Sequence, residues 1–159
     1  MNYIFTRPAW QLAIVSGICV GFAYQPWHLG LLVYIGFIPL IHTWFNHGLR
    51  DNFKSGFLFG LIYNFISNYW MGVNSGADFS VVLLSLISAV VYLALFWGIA
   101  GAIIGALRKD VNLYLILPFL IVCLEWVRSF GPLGYAWGNL ALTQTDYLPL
   151  LQNIDIVGT

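Results

Sequence analysis

Apolar residues fall into five stretches, 10–24, 29–45, 55–73, 81–107 and 113–127, separated by short polar or turn-forming connections. Each approaches the roughly 20 residues that a helix needs to cross hydrocarbon, so the pattern predicts an all-α, polytopic membrane bundle of about five transmembrane helices. The first stretch is short and draws on its flank from about Thr6. At Gln25-Pro26-Trp27-His28, a proline that ends a helix stands beside an interfacial tryptophan, which predicts a tight hairpin turn. Pro39 and Pro118 lie inside apolar runs, where each removes a helix donor and is expected to kink its span. Residues 1–130 thus read as the bundle and 131–159 as an interfacial segment beyond it, on what in a bacterium is the periplasmic side. Within that segment, short surface-lying helices are expected around 148–157, with Pro149 near the start of one. Gly158-Thr159 reads as the opening of a further element, so the expectation is a piece of a longer protein.

Composition agrees with lipid as the solvent. The chain is 60% hydrophobic and 8% charged, against about 25% charged in soluble domains. Its formal charge is zero and no basic cluster exceeds Arg108-Lys109, which excludes a nucleic-acid partner on electrostatic grounds. Cys19 and Cys123 sit inside apolar runs as small hydrophobes. A cleaved leader fits poorly, because the next apolar run follows at once and residues 24–28 make a poor cleavage site. Arg7, then Arg50 with Lys54, then Arg108 with Lys109 occupy every second boundary. The bias of basic residues toward the cytoplasm predicts a cytoplasmic N-terminus and places the chain beyond residue 127 on the opposite face.

Against that background, Glu125 and Arg128 stand out. An unpaired charge at hydrocarbon depth costs about 3 kcal/mol or more, and Arg128 is a basic residue on the wrong side of the topology. The i,i+3 spacing allows it to pair with Glu125. Two readings stay open: a structural ion pair that holds the glycine-rich turn behind it, or an arginine that meets an anionic lipid headgroup. Tyr135 and Trp137 in that turn read as interfacial side chains or as the cover of an acyl-chain entry. Gly56, Gly60, Asn64, Asn68 and Gly72 recur every four residues on one helix face, either for close packing or as a polar groove toward a headgroup. Gly98, Gly101 and Gly105 suggest a second close-packed surface. Trp70, beside Tyr69, is an interfacial anchor or a substrate-facing group, and Asp78 is expected to be solvated.

No catalytic set emerges. Cys123 and Glu125 are two apart and do not face each other on a helix. His28, His42 and His47 form no compact ligand group, and no phosphate-binding glycine loop is present. The expectation is therefore no catalytic residue, no metal and no cofactor within this chain.

Several motifs carry a family resemblance. They are Phe22-Ala23-Tyr24-Gln25-Pro26-Trp27, Phe37-Ile38-Pro39-Leu40, Gly56-Phe57-Leu58-Phe59-Gly60 and Asn68-Tyr69-Trp70, in that order. Glu125-Trp126-Val127-Arg128, Gly134-Tyr135-Ala136-Trp137-Gly138-Asn139-Leu140-Ala141 and Gln152-Asn153-Ile154-Asp155-Ile156-Val157-Gly158 follow. Together they resemble the N-terminal membrane region of bacterial apolipoprotein N-acyltransferase. The resemblance implies a multi-pass protein of the bacterial inner membrane. It implies an enzyme that moves an acyl chain from a phospholipid donor to the α-amino group of a diacylglyceryl-cysteine lipoprotein acceptor. It further implies a nitrilase-like domain carrying a glutamate, a lysine and a nucleophilic cysteine, which is missing from these 159 residues. None of that triad maps onto Glu125, Cys123, Lys54 or Lys109, so this chain alone is expected to be inactive. What carries over is the placement of Glu125, Arg128 and Trp137 at the membrane surface beneath such a domain. The competing classes are a noncatalytic lipid-binding or scaffolding module and the membrane region of a lipid-linked glycosyltransferase.

Overall fold

The computed structural model describes residues 7–107 and 112–152. The expected flank at Thr6, the Arg108-Lys109 boundary and residues 153–159 of the tail lie outside the described residues. Secondary structure among the described residues is entirely helical: α1 (Ala9–Phe22), α2 (Leu32–Gly36), α3 (Ile38–Asn46), α4 (Leu49–Ser67), α5 (Phe79–Leu107), α6 (Leu113–Arg128) and α7 (Leu148–Leu151). Two 3₁₀ segments, Tyr69–Val73 and Leu140–Gln144, join them.

Close contacts at the glycines establish the helix directions. Gly17 of α1 packs on Phe59 and Ile62 of α4, and Gly21 packs on Ile66, so these two helices run parallel. On α4, Gly56 meets the Trp97 carbonyl of α5 and Gly60 meets Ala94, while Gly101 of α5 meets Asn52, which makes this pair antiparallel. The α2–α3 arm returns along α1, with Gly36 against Cys19 and Val20 and the Leu40 N–H donating to Ser16 Oγ at 3.0 Å. Small residues let backbones approach this closely, and the approach gains dispersion contacts along both helices. The centre is aromatic: Trp44, Phe59, Tyr63 and Trp97 are buried together, with Phe59 edge-on to Trp97 at 4.9 Å between ring centres.

Several expected stretches have other bounds in the structure, and the five-span count rests on more than helix length. Among the described residues, only α5, at 29 residues, is both long and apolar enough to cross a membrane by that measure. At 1.5 Å per residue, α1 extends about 21 Å and α6 about 24 Å, short of a hydrocarbon core of about 30 Å. The 29–45 stretch is two helices with a break at Phe37, because Pro39 has no N–H to give the Ile35 carbonyl and instead sits in the first turn of α3. The expected kink is thus a boundary, whereas Pro118 remains inside a continuous α6. The 55–73 stretch is displaced toward the N-terminus: α4 begins at Leu49 and takes in Arg50, Asp51 and Lys54. It ends at Ser67, where the Asn68 side chain donates to the Asn64 carbonyl at 2.9 Å and satisfies a helix-end acceptor. Gly72 therefore leaves the four-residue series and lies in the 3₁₀ segment, whereas Gly56, Gly60, Asn64 and Asn68 are buried as a row.

Candidate functional site

The helix ends at Phe22, Ser67 and Arg128 share one side of the molecule, and the chain after α6 folds back over them. Arg128 in the last turn of α6 complements the negative end of that helix. Gly131 then takes a φ of +83° and its carbonyl accepts from the Gly134 N–H at 2.9 Å, a tight turn with Pro132 at its second position. The Tyr135 N–H returns to the Arg128 carbonyl at 2.8 Å.

Four bonds fasten the returning strand of chain. Tyr24 and Tyr63 each donate to the Gly138 carbonyl at 2.9 Å, using both lone pairs of one oxygen, and their hydroxyls lie 3.2 Å apart. Arg128 Nη2 donates to Asn139 Oδ1 at 3.3 Å. Glu125 Oε1 accepts the Leu140 N–H at 2.7 Å. The expected Glu125 and Arg128 pair is present only as a 4.0 Å approach. Their stronger partners are successive residues of the returning loop, because a carboxylate 2.7 Å from a backbone N–H forms a charge-assisted bond that a 4.0 Å separation cannot match. Arg128 is 2% exposed, and its Nε has no hydrogen-bond partner among the described residues.

This folding-back creates a cavity of about 440 Å³. Asn68, Trp70, Tyr135 and Trp137 line it together with Tyr24, Gln25 and Thr145. Tyr135 donates its hydroxyl to Asn68 Oδ1 across one wall. Burial pushes the Tyr135 phenol up to about 12, with the neighbouring Tyr63 adding to the rise and Arg128 opposing it, so it stays a neutral donor at ordinary pH. Trp70 and Trp137 are exposed at 54% and 74%, leaving large apolar ring faces at the cavity rim. Glu125 and Arg128 lie outside this lining, in the wall behind it, and buried Asn64 bonds back to the Gly60 carbonyl at 2.7 Å.

A second set of bonds closes the far side. Gln25 Nε2 donates to Thr145 Oγ1 at 3.1 Å and to Asp146 Oδ2 at 2.8 Å, and His28 Nδ1 lies 3.0 Å from the same carboxylate oxygen. These bonds hold the Asp146 carboxyl below the usual range, the Gln25 bond acting most and the His28 bond next. Gln144 Nε2 reaches the Gly30 carbonyl at 3.0 Å. The expected turn at 25–28 is present, with a cis Gln25-Pro26 bond and His28 in the left-handed region at φ 56°.

Sequence reasoning thus found four cavity residues and the two wall charges, but missed Tyr63, Gly138, Asn139, Gln144 and Asp146 as the groups that assemble them. Tyr63 carried a signal: it places a hydroxyl inside an apolar run directly before Asn64. Asn139 stood out only as part of the motif 134–141 and Asp146 not at all, since their partners are 11 and 121 positions away. Cys19 and Cys123 are free thiols. Among the described residues, no three histidine, cysteine or acidic side chains converge as a metal set.

Fold and site define an all-helical, strongly apolar chain with an aromatic-rimmed cavity where three helix ends meet. The chain belongs to the family described as the apolipoprotein N-acyltransferase N-terminal domain, whose model matches residues 16–159. Proteins named apolipoprotein N-acyltransferase match it from several bacteria. The one from Geobacter metallireducens is 29% identical over 157 residues, covering 96% of this chain and 30% of its own length. That from Methylococcus capsulatus is 32% identical over 146 residues, with 87% and 29% covered. The protein from Caulobacter vibrioides is 29% identical over 135 residues, with 79% and 25% covered. The chain thus spans less than a third of the length of these relatives.

Proposed function

We propose that this chain is the membrane part of an apolipoprotein N-acyltransferase, in which the cavity of Asn68, Trp70, Tyr135 and Trp137 receives the acyl-bearing lipid. The whole enzyme transfers an acyl chain from a phospholipid to the N-terminal amine of a diacylglyceryl-cysteine lipoprotein, with its nucleophile on a nitrilase-like domain. The chain crosses the bacterial inner membrane about five times, short helices being completed by their aromatic and polar flanks, with a cytoplasmic N-terminus. The parallel and antiparallel helix directions support that alternation. Residues 131–159 form the periplasmic-side segment beneath the catalytic domain.

One observation carries the site reading. The Glu125 bond to Leu140 and the Arg128 bond to Asn139 hold the loop so that Tyr135 and Trp137 join Asn68 and Trp70 around one space. Glu125 and Arg128 are positioning residues in this scheme, and Trp70 and Trp137 form the apolar entry. Mostly apolar walls with a few hydroxyl and amide groups suit an ester-linked acyl chain.

The test is a chimera in which this chain replaces the matching N-terminal region of the Geobacter metallireducens relative. N-acylation of a diacylglyceryl lipoprotein is expected, with a marked loss in Trp137→Ala and Trp70→Ala. A chimera that reaches the membrane, keeps an acylatable cysteine and acylates equally well with both tryptophans removed would falsify the cavity assignment. The 159-residue chain by itself, given phospholipid, is expected to form no hydroxylamine-sensitive acyl adduct, since no nucleophile with an adjacent base is assigned within it.

A further inference from the structure

Among the described residues, four side-chain hydroxyls belong to the lining of the cavity, those of Tyr24, Ser67, Tyr135 and Thr145, and they differ in where their protons go. Tyr24 donates to the Gly138 carbonyl and Tyr135 to Asn68 Oδ1. Thr145 stands on the exposed returning loop, where water competes for its proton. Ser67, the last residue of α4, is half-buried inside the rim that Trp70 and Trp137 form.

The hydrogen bonds at the end of α4 leave the Ser67 proton uncommitted. The Asn64 carbonyl has two lone pairs, and Asn68 fills both, with its backbone N–H at 3.0 Å and its side-chain Nδ2 at 2.9 Å. The second proton of Nδ2 goes to Ser67 Oγ at 3.3 Å, so the serine oxygen is already an acceptor. Among the described residues, its own proton meets the crowded Asn64 carbonyl at 3.5 Å, outside the range of about 2.5–3.0 Å for a good O–H···O bond. A hydroxyl held in this way by one donor keeps its proton free to turn toward the cavity.

The acceptor that suits it is neutral. No charged side chain lines this cavity among the described residues, and Arg128, in the wall behind, is 2% exposed. A phosphate drawn in as far as Ser67 would lose its hydration with no cation in exchange. An ester carbonyl carries no net charge, accepts a hydrogen bond, and is joined directly to the chain that apolar walls would hold. We infer that Ser67 is a substrate-binding residue that donates its hydroxyl to the ester carbonyl of a fatty-acyl glyceride. This rests on the acyl-lipid reading of the cavity. An ether-linked chain has no carbonyl, so the contact favours ester-linked over ether-linked lipids. The phospholipid and the diacylglyceryl lipoprotein of the proposed reaction both carry such an ester.

The test uses the full 159-residue chain in detergent, offered equal amounts of a diacyl phospholipid and a dialkyl phospholipid with the same headgroup and chain length. A diacylglyceryl-cysteine peptide and its dialkyl counterpart form a second pair, and retention is read by native mass spectrometry. The wild type is expected to retain ester about fivefold above ether in at least one pair, the ratio that one net hydrogen bond gives. The pair that shows it identifies which substrate reaches Ser67. Ser67→Ala should bring that ratio to one without changing retention of the ether lipid, and Ser67→Thr, which keeps the hydroxyl, should preserve it. Both variants should keep wild-type helix content by circular dichroism. A wild-type ratio of one in both pairs, or a ratio that survives Ser67→Ala, overturns the assignment. If Trp137→Ala then lowers retention of ester and ether alike, the acyl-lipid reading of the cavity stands and the Ser67 contact alone falls. Retention untouched by removing Trp70 and Trp137 together overturns the cavity reading and this inference with it.

Discussion

Glu125 Oε1 holds the backbone N–H of Leu140 at 2.7 Å, a link across 15 positions that closes the loop behind α6. Arg128 approaches the same oxygen only to 4.0 Å and binds Asn139 instead. The two charges act side by side on adjacent loop residues, and this arrangement makes a different prediction from a simple ion pair.

Exchanging the charges, Glu125→Arg with Arg128→Glu, is expected not to rescue the single changes, because an arginine at 125 cannot accept from the Leu140 N–H. Arg128→Met alone should cost about 3 kcal/mol, the scale for removing one partner from a buried polar set. Glu125→Gln, which keeps an acceptor, should be milder than Glu125→Ala. Thermal unfolding in detergent and protease cleavage within 131–147 would check the order. Recovery by the double exchange would restore the ion-pair reading.

Tyr135→Phe removes the donor to Asn68 and should cost about 1 kcal/mol. The phenol is raised from 10.0 to about 12, so the folded chain keeps its proton after the unfolded chain has released it, and rising pH favours unfolding across that window. The stability difference between wild type and Tyr135→Phe should be flat below pH 10 and shrink as pH rises to about 12. A constant difference across that window would contradict the half-buried, neutral phenol.

The link of Gln25 and His28 to Asp146 has the opposite sign. Asp146 is lowered from 3.8 by those hydrogen bonds, so the link is complete above the ordinary carboxylate range and weakens as pH falls through the lower folded value. Hydrogen exchange in residues 24–30 and 143–147 should quicken together on acidification. Asp146→Asn should show the fast exchange already at neutral pH and lose the acid dependence.

Gly60 and Gly72 share a four-residue series but should respond differently. A Cβ at Gly60 would lie 2.8 Å from the Ala94 Cα of α5, where backbone must move, so Gly60→Val should cost about 1–3 kcal/mol. At Gly72 the neighbour is the end of the Leu86 side chain at 3.0 Å, which can rotate away, so Gly72→Ala should be nearly neutral. Equal losses at both positions would refute the helix end at Ser67.

The amino-acid order alone determined the helical class, the turn at 25–28, α5 and α6 to within two residues, and the family, because apolar runs and local motifs depend on neighbours in the chain. It also singled out Glu125 and Arg128, since a charge next to an apolar run is visible without a fold. Tertiary structure decided what they bind. The loop amide at Leu140 and the amide side chain of Asn139 become their partners only after a turn at Gly131 reverses the chain. It likewise decided which part of the Gly56-to-Gly72 series is buried, because the pattern continues past Ser67 but the helix does not. Helix ends are set by competition between backbone and side-chain hydrogen bonds and by the packing available on each side. A one-dimensional pattern carries the first of these weakly and the second not at all.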